Sequence, residues 1–151
     1  SGPSGGVPPF DKIKTADFKP ALVKAMELHR AEVEAIAAAP AAPTFANTVA
    51  ALEDAGRPLN RAGALFGVYT SAMNDKEMQS VESEMAPLLA AHSDEITQNE
   101  KLFARIKTVH EQRASAKLEP EEARLLEVTY QSFVRRGAAL GAGGGRGRGA
   151  L

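Results

Sequence analysis

The chain has no cysteine and no tryptophan, and only six phenylalanines and two tyrosines among 151 residues. The missing thiols exclude disulfides, cysteine-ligated zinc and thiol nucleophiles, and they suit a reducing, cytoplasmic compartment. A charge excess of one sign is also missing. Eighteen Lys and Arg against nineteen Asp and Glu give a formal net charge of -1, spread along the chain. That balance lacks the basic footprint of a nucleic-acid or anionic-membrane binder. No apolar run approaches the ~20 residues of a membrane span. The opening SGPSGGVPPF has neither the basic nor the apolar region of a secretory signal, so none is expected there.

What remains is enough for one domain burying roughly two-thirds of its unfolded surface. Alternation of period two is absent, and spacings of three and four recur, so the expectation is an all-α bundle of about five amphipathic helices without a sheet. A first helix carries Phe18, Leu22, Met26, Val33 and Ile36 on one face, with His29 in the same stripe. Thr15 or Asp17 can cap it, Pro20 suits its first turn, and PAAP at 40–43 stops it.

A second helix runs through Phe45, Val49, Leu52, Leu59, Phe66 and Met73, kinked or broken near Gly56 to Pro58. Gly56, Gly63 and Gly67 on it are expected to mark close packing against a neighbour. Asn74 and Glu77 have the spacing of a capping box for a third helix through Met78, Val81, Met85, Leu88 or Leu89, His92 and Ile96, with a kink at Pro87. Asn99 caps EKLFARIKTVHEQR, whose stripe is Leu102, Phe103, Ile106 and Val109 or His110. A last helix starts at Glu119 with Pro120 at its first position, burying Leu126, Tyr130, Phe133 and Val134.

The expected organisation is an extended Pro/Gly-rich arm over 1–14, a helical domain over 15–140 and a flexible Gly/Arg tail over 141–151. Six of the tail's eleven residues are glycine, a composition that opposes both helix and packed core. Its RGRG can touch RNA, but two arginines in a near-neutral chain do not make a nucleic-acid binder.

Chemistry is sparse. His110 and Glu111 begin the His-Glu-x-x-His pattern in which two imidazoles on one helix face bind zinc and the glutamate acts as base. Ala114 stands where the second histidine should be. His29, His92 and His110 could form a site only if three helices brought the rings together; packed, hydrogen-bonded histidines are the more ordinary outcome. Ser71, Ser80, Ser83, Ser93, Ser115 and Ser132 lie outside G-x-S-x-G and S-x-x-K contexts. Paired carboxylates such as Glu32 with Glu34 and Glu121 with Glu122 belong to solvated helix surface or a helix start. No catalytic, cofactor-binding or metal-ligating residue is therefore assigned, and the residues alone describe a helical scaffold or interaction module.

Four stretches carry a family resemblance: GGVPPFDKIKTADFKPAL, PTFANTVAALEDAG, MNDKEMQSVESEMAPLLAAHSDEITQNEKLFARI and LEPEEARLLEVTYQSFVRRGAAL. In this order and spacing, from about Gly5 to Leu140, they resemble the amino-terminal part of thimet-oligopeptidase-like zinc metallopeptidases, in particular bacterial peptidyl-dipeptidases and oligopeptidase A. From Gly141 the glycines depart from the family's polar, helix-forming continuation. The resemblance implies a much longer, almost wholly helical enzyme that cuts oligopeptides in a deep channel. Its zinc ligands, two histidines of His-Glu-x-x-His and a later glutamate, would lie downstream of the matched segment, and nothing here maps onto them. By this resemblance the chain is a wall of the channel, inactive alone, with the catalytic region as its partner. The alternative is a stand-alone helical module. Either would self-associate through exposed apolar faces.

Overall fold

The computed structural model describes residues 15–73 and 75–148, with side chains through 137. Among them are five α-helices and no strand: α1 Thr15–Ala37, α2 Ala51–Ala72, α3 Lys76–Thr97, α4 Glu100–Glu111 and α5 Pro120–Arg148. A wider π-helical stretch, Phe45–Ala50, leads into α2. The expected arm over 1–14 lies outside the described residues. The backbone of α5 continues helical over 141–148, where an unstructured tail is expected, and 149–151 lie outside the described residues. Each added residue contributes one bond to a helix already nucleated by packed turns, against a glycine cost of up to ~1 kcal/mol.

The helix starts follow local chemistry, with three corrections. Thr15 and Asp17 are already helical, so neither is the cap, and Pro20 is the sixth residue of α1, in its second turn. There it removes the bond to the Ala16 carbonyl. The cap of α3 is Asp75, whose Oδ1 accepts from Met78 N–H at 2.8 Å; the expected cap Asn74 lies outside the described residues. Thr44 and Asn47 make a reciprocal capping box before α2: Asn47 N–H donates to Thr44 Oγ1 at 3.1 Å and Thr44 N–H to Asn47 Oδ1 at 2.8 Å. Asn99 caps α4 as expected, and α5 opens at Pro120. Neither Pro58 nor Pro87 breaks its helix.

Direction follows from the contacts. Lys19–Glu84 at 2.7 Å, Arg30–Glu95 at 3.1 Å and Glu34–Asn99 at 3.0 Å join residues 65 apart, so α1 and α3 run parallel in one register. These exposed pairs mark register and each contributes only ~0–1 kcal/mol. Phe18 meets Phe66 and Tyr69 at ring distances of 5.3 and 4.9 Å, which sets α2 antiparallel to α1. Phe103 stacks with Tyr130 and Phe133, and Arg136 reaches Asp94 at 2.6 Å, so α5 folds back along α4 toward α3.

Three apolar clusters result. Phe18, Leu22 and Met26 pack with Phe66, Tyr69, Met78 and Met85. Val33 and Ala37 pack with Leu102, Ile106 and Phe133. Val49, Val109 and Leu126 close the far end. Met73, expected in the stripe, is 43% exposed and Tyr69 is buried instead, because α2 ends at Ala72 and the stripe ends with it. Of the pair Leu88 and Leu89, Leu89 packs inward.

Between α1 and α2 lies a polar knot. Arg105, 7% exposed on α4, donates from Nη1 to the Ala39 and Ala41 carbonyls at 3.0 and 2.9 Å and from Nη2 to Asn47 Oδ1 at 3.2 Å. Asn47 Nδ2 donates to the Ala42 carbonyl at 2.9 Å, and the buried Thr48 hydroxyl to Asn47 Oδ1 at 2.7 Å. A buried guanidinium needs such oxygens to offset its lost hydration. Those it uses follow the C-terminal end of α1, where the helix dipole also favours a cation.

Arg105→Ala is expected to lower unfolding free energy by about 1–3 kcal/mol, since it removes three charge-assisted bonds to partly buried oxygens, with Arg105→Lys intermediate in urea unfolding. The glycine expectation fails at two positions. A Cβ on Gly63 or Gly67 would meet nothing within 4 Å, and one on Gly56 would meet only ordinary contacts at 3.7 Å. Gly63→Ala and Gly67→Ala should each therefore stabilise by about 0.5–1 kcal/mol; a lowered Tm would show a packing role instead.

Candidate functional site

The three histidines are the only side chains of their kind, and the folded helices bring two of them together. His29 projects from α1 and His92 from α3, whose parallel register sets the rings side by side. His29 Nδ1 and His92 Nε2 are 2.8 Å apart, with ring centroids 5.0 Å apart and planes inclined at 54°. One nitrogen donates its proton and the other accepts it. His92 is 4% exposed, and its Nδ1 is buried without a hydrogen-bond partner. Burial, above all, holds both rings below the ordinary histidine range. The His92 ring adds to the effect at His29 and Arg30 adds to it at His92, against Glu32 and Glu95 respectively.

His110 belongs to a different environment. It stacks on Tyr130 with centroids 3.8 Å apart and planes 12° apart. Its Nε2 lies 2.8 Å from Glu127 Oε2, and its Nδ1 lies 3.2 Å from Arg113 Nη1. A carboxylate only accepts and a guanidinium only donates, so the neutral ring carries its proton on Nε2. Gln131 first, then His110, hold the Glu127 carboxyl below its ordinary value. Both ring nitrogens are thus engaged, so neither is left to activate a nucleophile.

The His-Glu start at His110 loses its helix as well as its second ligand. The sequence reading carries the helix through Arg113, but α4 ends at Glu111. Arg113 Nη1 caps the His110 carbonyl at 2.6 Å, and the following turn includes Lys117 at φ 51°. Ala114 therefore does not share a helix face with His110.

The zinc of the resembled family can be tested against these donors. A metal needs lone pairs converging on one point, whereas the His29 and His92 nitrogens that face each other share a proton. His110 is committed to Glu127 and Arg113. Among the described residues no three His, Asp or Glu side chains gather as a metal-ligand group. The three histidines, as the described residues place them, do not fit a zinc site.

Sequence reasoning passed over Arg105 in EKLFARIKTVHEQR. Its position three residues after Leu102 and four before Val109 was the available signal: a charged residue at a core spacing. The His29–His92 contact had no such signal, because it depends on the register of two helices distant in sequence.

The stacking account of His110 predicts that His110→Ala costs about 1 kcal/mol through loss of the Tyr130 contact, without changing metal content. The checks are thermal unfolding and metal analysis of the purified protein; a loss of stoichiometric metal would assign the ring a ligand role.

No family model matches the chain. It is similar to dipeptidyl carboxypeptidase of Salmonella typhimurium, 41% identical over 133 residues that cover 88% of this chain and 20% of that protein. The Escherichia coli dipeptidyl carboxypeptidase is 39% identical over 133 residues, with the same coverage. Oligopeptidase A of Salmonella typhimurium is 26% identical over 137 residues, 91% of this chain and 20% of that protein. The chain spans about one fifth of the length of these relatives. Across nearly its whole length, it is a homologue of a part of the dipeptidyl carboxypeptidases.

Proposed function

We propose that this chain is the amino-terminal helical segment of a cytoplasmic peptidyl-dipeptidase-like zinc metallopeptidase, a non-catalytic wall of the channel that admits oligopeptides. The observation that carries the reading is the 41% identity over 88% of the chain to a dipeptidyl carboxypeptidase. The histidine geometry supports it: His29 and His92 bond to each other, His110 bonds to Glu127, and the His-Glu pair lies at a helix end. The segment would act by shape, holding a rigid helical surface beside a substrate whose chemistry is performed by residues in the rest of the peptidase. Zinc there would activate water toward the peptide carbonyl, releasing dipeptides from the carboxyl end of the substrate.

A stand-alone interaction module and a segment of a larger peptidase would alike present an exposed apolar face for association. The exposed large apolar residues Leu28, Val68, Met73, Leu88 and Val128 are distributed over four helices or their ends, and singly exposed apolar residues are normal, so they do not separate the two readings.

The test has two parts. The chain purified alone is expected to release no dipeptide from a blocked oligopeptide and to hold no stoichiometric zinc by atomic absorption; activity with bound zinc would contradict the reading. Substituting this chain for the matching fifth of Escherichia coli dipeptidyl carboxypeptidase should give a folded enzyme that still releases dipeptides. A folded, zinc-loaded chimaera with no activity on any oligopeptide would also count against it.

A further inference from the structure

The His29–His92 contact plays no part in the proposed function, yet it joins two helices at a buried point where each additional proton meets an obstacle. In the neutral pair one N–H lies between the rings, and with His92 Nε2 as the donor the buried His92 Nδ1 is a bare lone pair rather than an unpaired donor. A first added proton must go to an outer nitrogen. On His92 this is Nδ1, which is buried and has no partner, so protonation would create a buried donor with nothing to accept from it. With a second proton, His29 Nδ1–H and His92 Nε2–H would point at each other across 2.8 Å, two donors on two cations. That contact cannot persist.

The surroundings offer limited compensation. On α1, Arg30 opposes protonation of His92 and Glu32 favours that of His29. On α3, Glu95 favours protonation of His92, but its carboxylate is already bound by Arg30 Nε at 3.1 and 3.2 Å. On α2, Gly56 lies beside the His29 ring with Asn60 next to it, and neither titrates. The neighbouring charges Asp54 and Arg57 are paired with each other at 3.1 Å.

We propose that the His29–His92 pair is a proton-sensitive latch between α1 and α3, closed while both rings are neutral and released when both are protonated. Both rings sit below the ordinary histidine value in the folded chain, chiefly through burial, which agrees with this geometry. The unfolded chain then binds more protons than the folded one below about pH 6.5, so stability rises with pH through that region. The latch's contribution is fully present above the unfolded histidine value and declines as pH falls through it. If neither folded ring takes a proton, the unfolding equilibrium constant should be about 100-fold larger at pH 5.5 than at pH 7.5, and about 10-fold larger if one does. This inference concerns the helical chain itself and stands independently of any peptidase role.

The experiment is urea unfolding of the whole chain at pH 7.5 and pH 5.5, for wild type and for His29→Gln/His92→Gln. The wild-type ratio of unfolding constants should exceed that of the double variant by about 10- to 100-fold. Equal ratios would overturn the latch. Should the double variant fail to fold, proton NMR of the wild-type rings decides, with the His110 signal identified by its loss in His110→Gln. The latch requires the other two rings to titrate below the ordinary histidine value in the folded chain. Ordinary titration of both near 6.5 would overturn it.

Discussion

One buried guanidinium determines how the helices of this chain meet. Arg105 reaches out of the apolar face of α4 and binds the carbonyls of Ala39 and Ala41 together with Asn47. It thereby joins the end of α1, the turn through PAAP and the entry to α2. The turn has no glycine to close α1 by the usual left-handed cap, and its backbone oxygens need a donor. Asn47 serves the same knot in four ways: it completes the capping box with Thr44, accepts from Thr48, donates to Ala42 and accepts from Arg105. Two of the three apolar clusters draw on the elements the knot joins: Val33, Ala37, Leu102 and Ile106 in one, Val49 and Val109 in the other. The non-directional attraction of those clusters cannot choose the path of the turn. The guanidinium fork can, because its donors require oxygens in fixed directions.

Much of this architecture was legible from spacing. Phe18, Leu22, Met26 and Val33 in α1, Met78, Met85 and His92 in α3, and Leu126 and Phe133 in α5 all fall where a 3.6-residue period places them, and all are buried. The misses occur where a local choice is settled by the chain's surroundings. Asn74 and Asp75 are both good caps, and the folded turn uses Asp75. Met73 continues the count of the stripe, but the helix has ended before it. A count of apolar residues passes over Arg105, although a charged residue among Leu102, Ile106 and Val109 is itself a sign of a buried partner.

The same distinction separates the histidines. His92 was readable as a core residue, but its bond to His29 is a tertiary fact. His110 looked like half of a zinc motif because sequence adjacency to Glu111 imitates one. Folded, it is an aromatic plate on Tyr130 with both nitrogens occupied. The His-Glu pair therefore has the order of a zinc motif without its geometry.

The dependence of the fold on the Arg105 knot is most directly tested by a double-mutant cycle between Arg105→Met and Asn47→Ala, read by urea unfolding. If the guanidinium and the Asn47 amide work as one unit, their coupling should be about 1–3 kcal/mol. Additive effects, with coupling within about 0.3–0.5 kcal/mol of zero, would contradict the account.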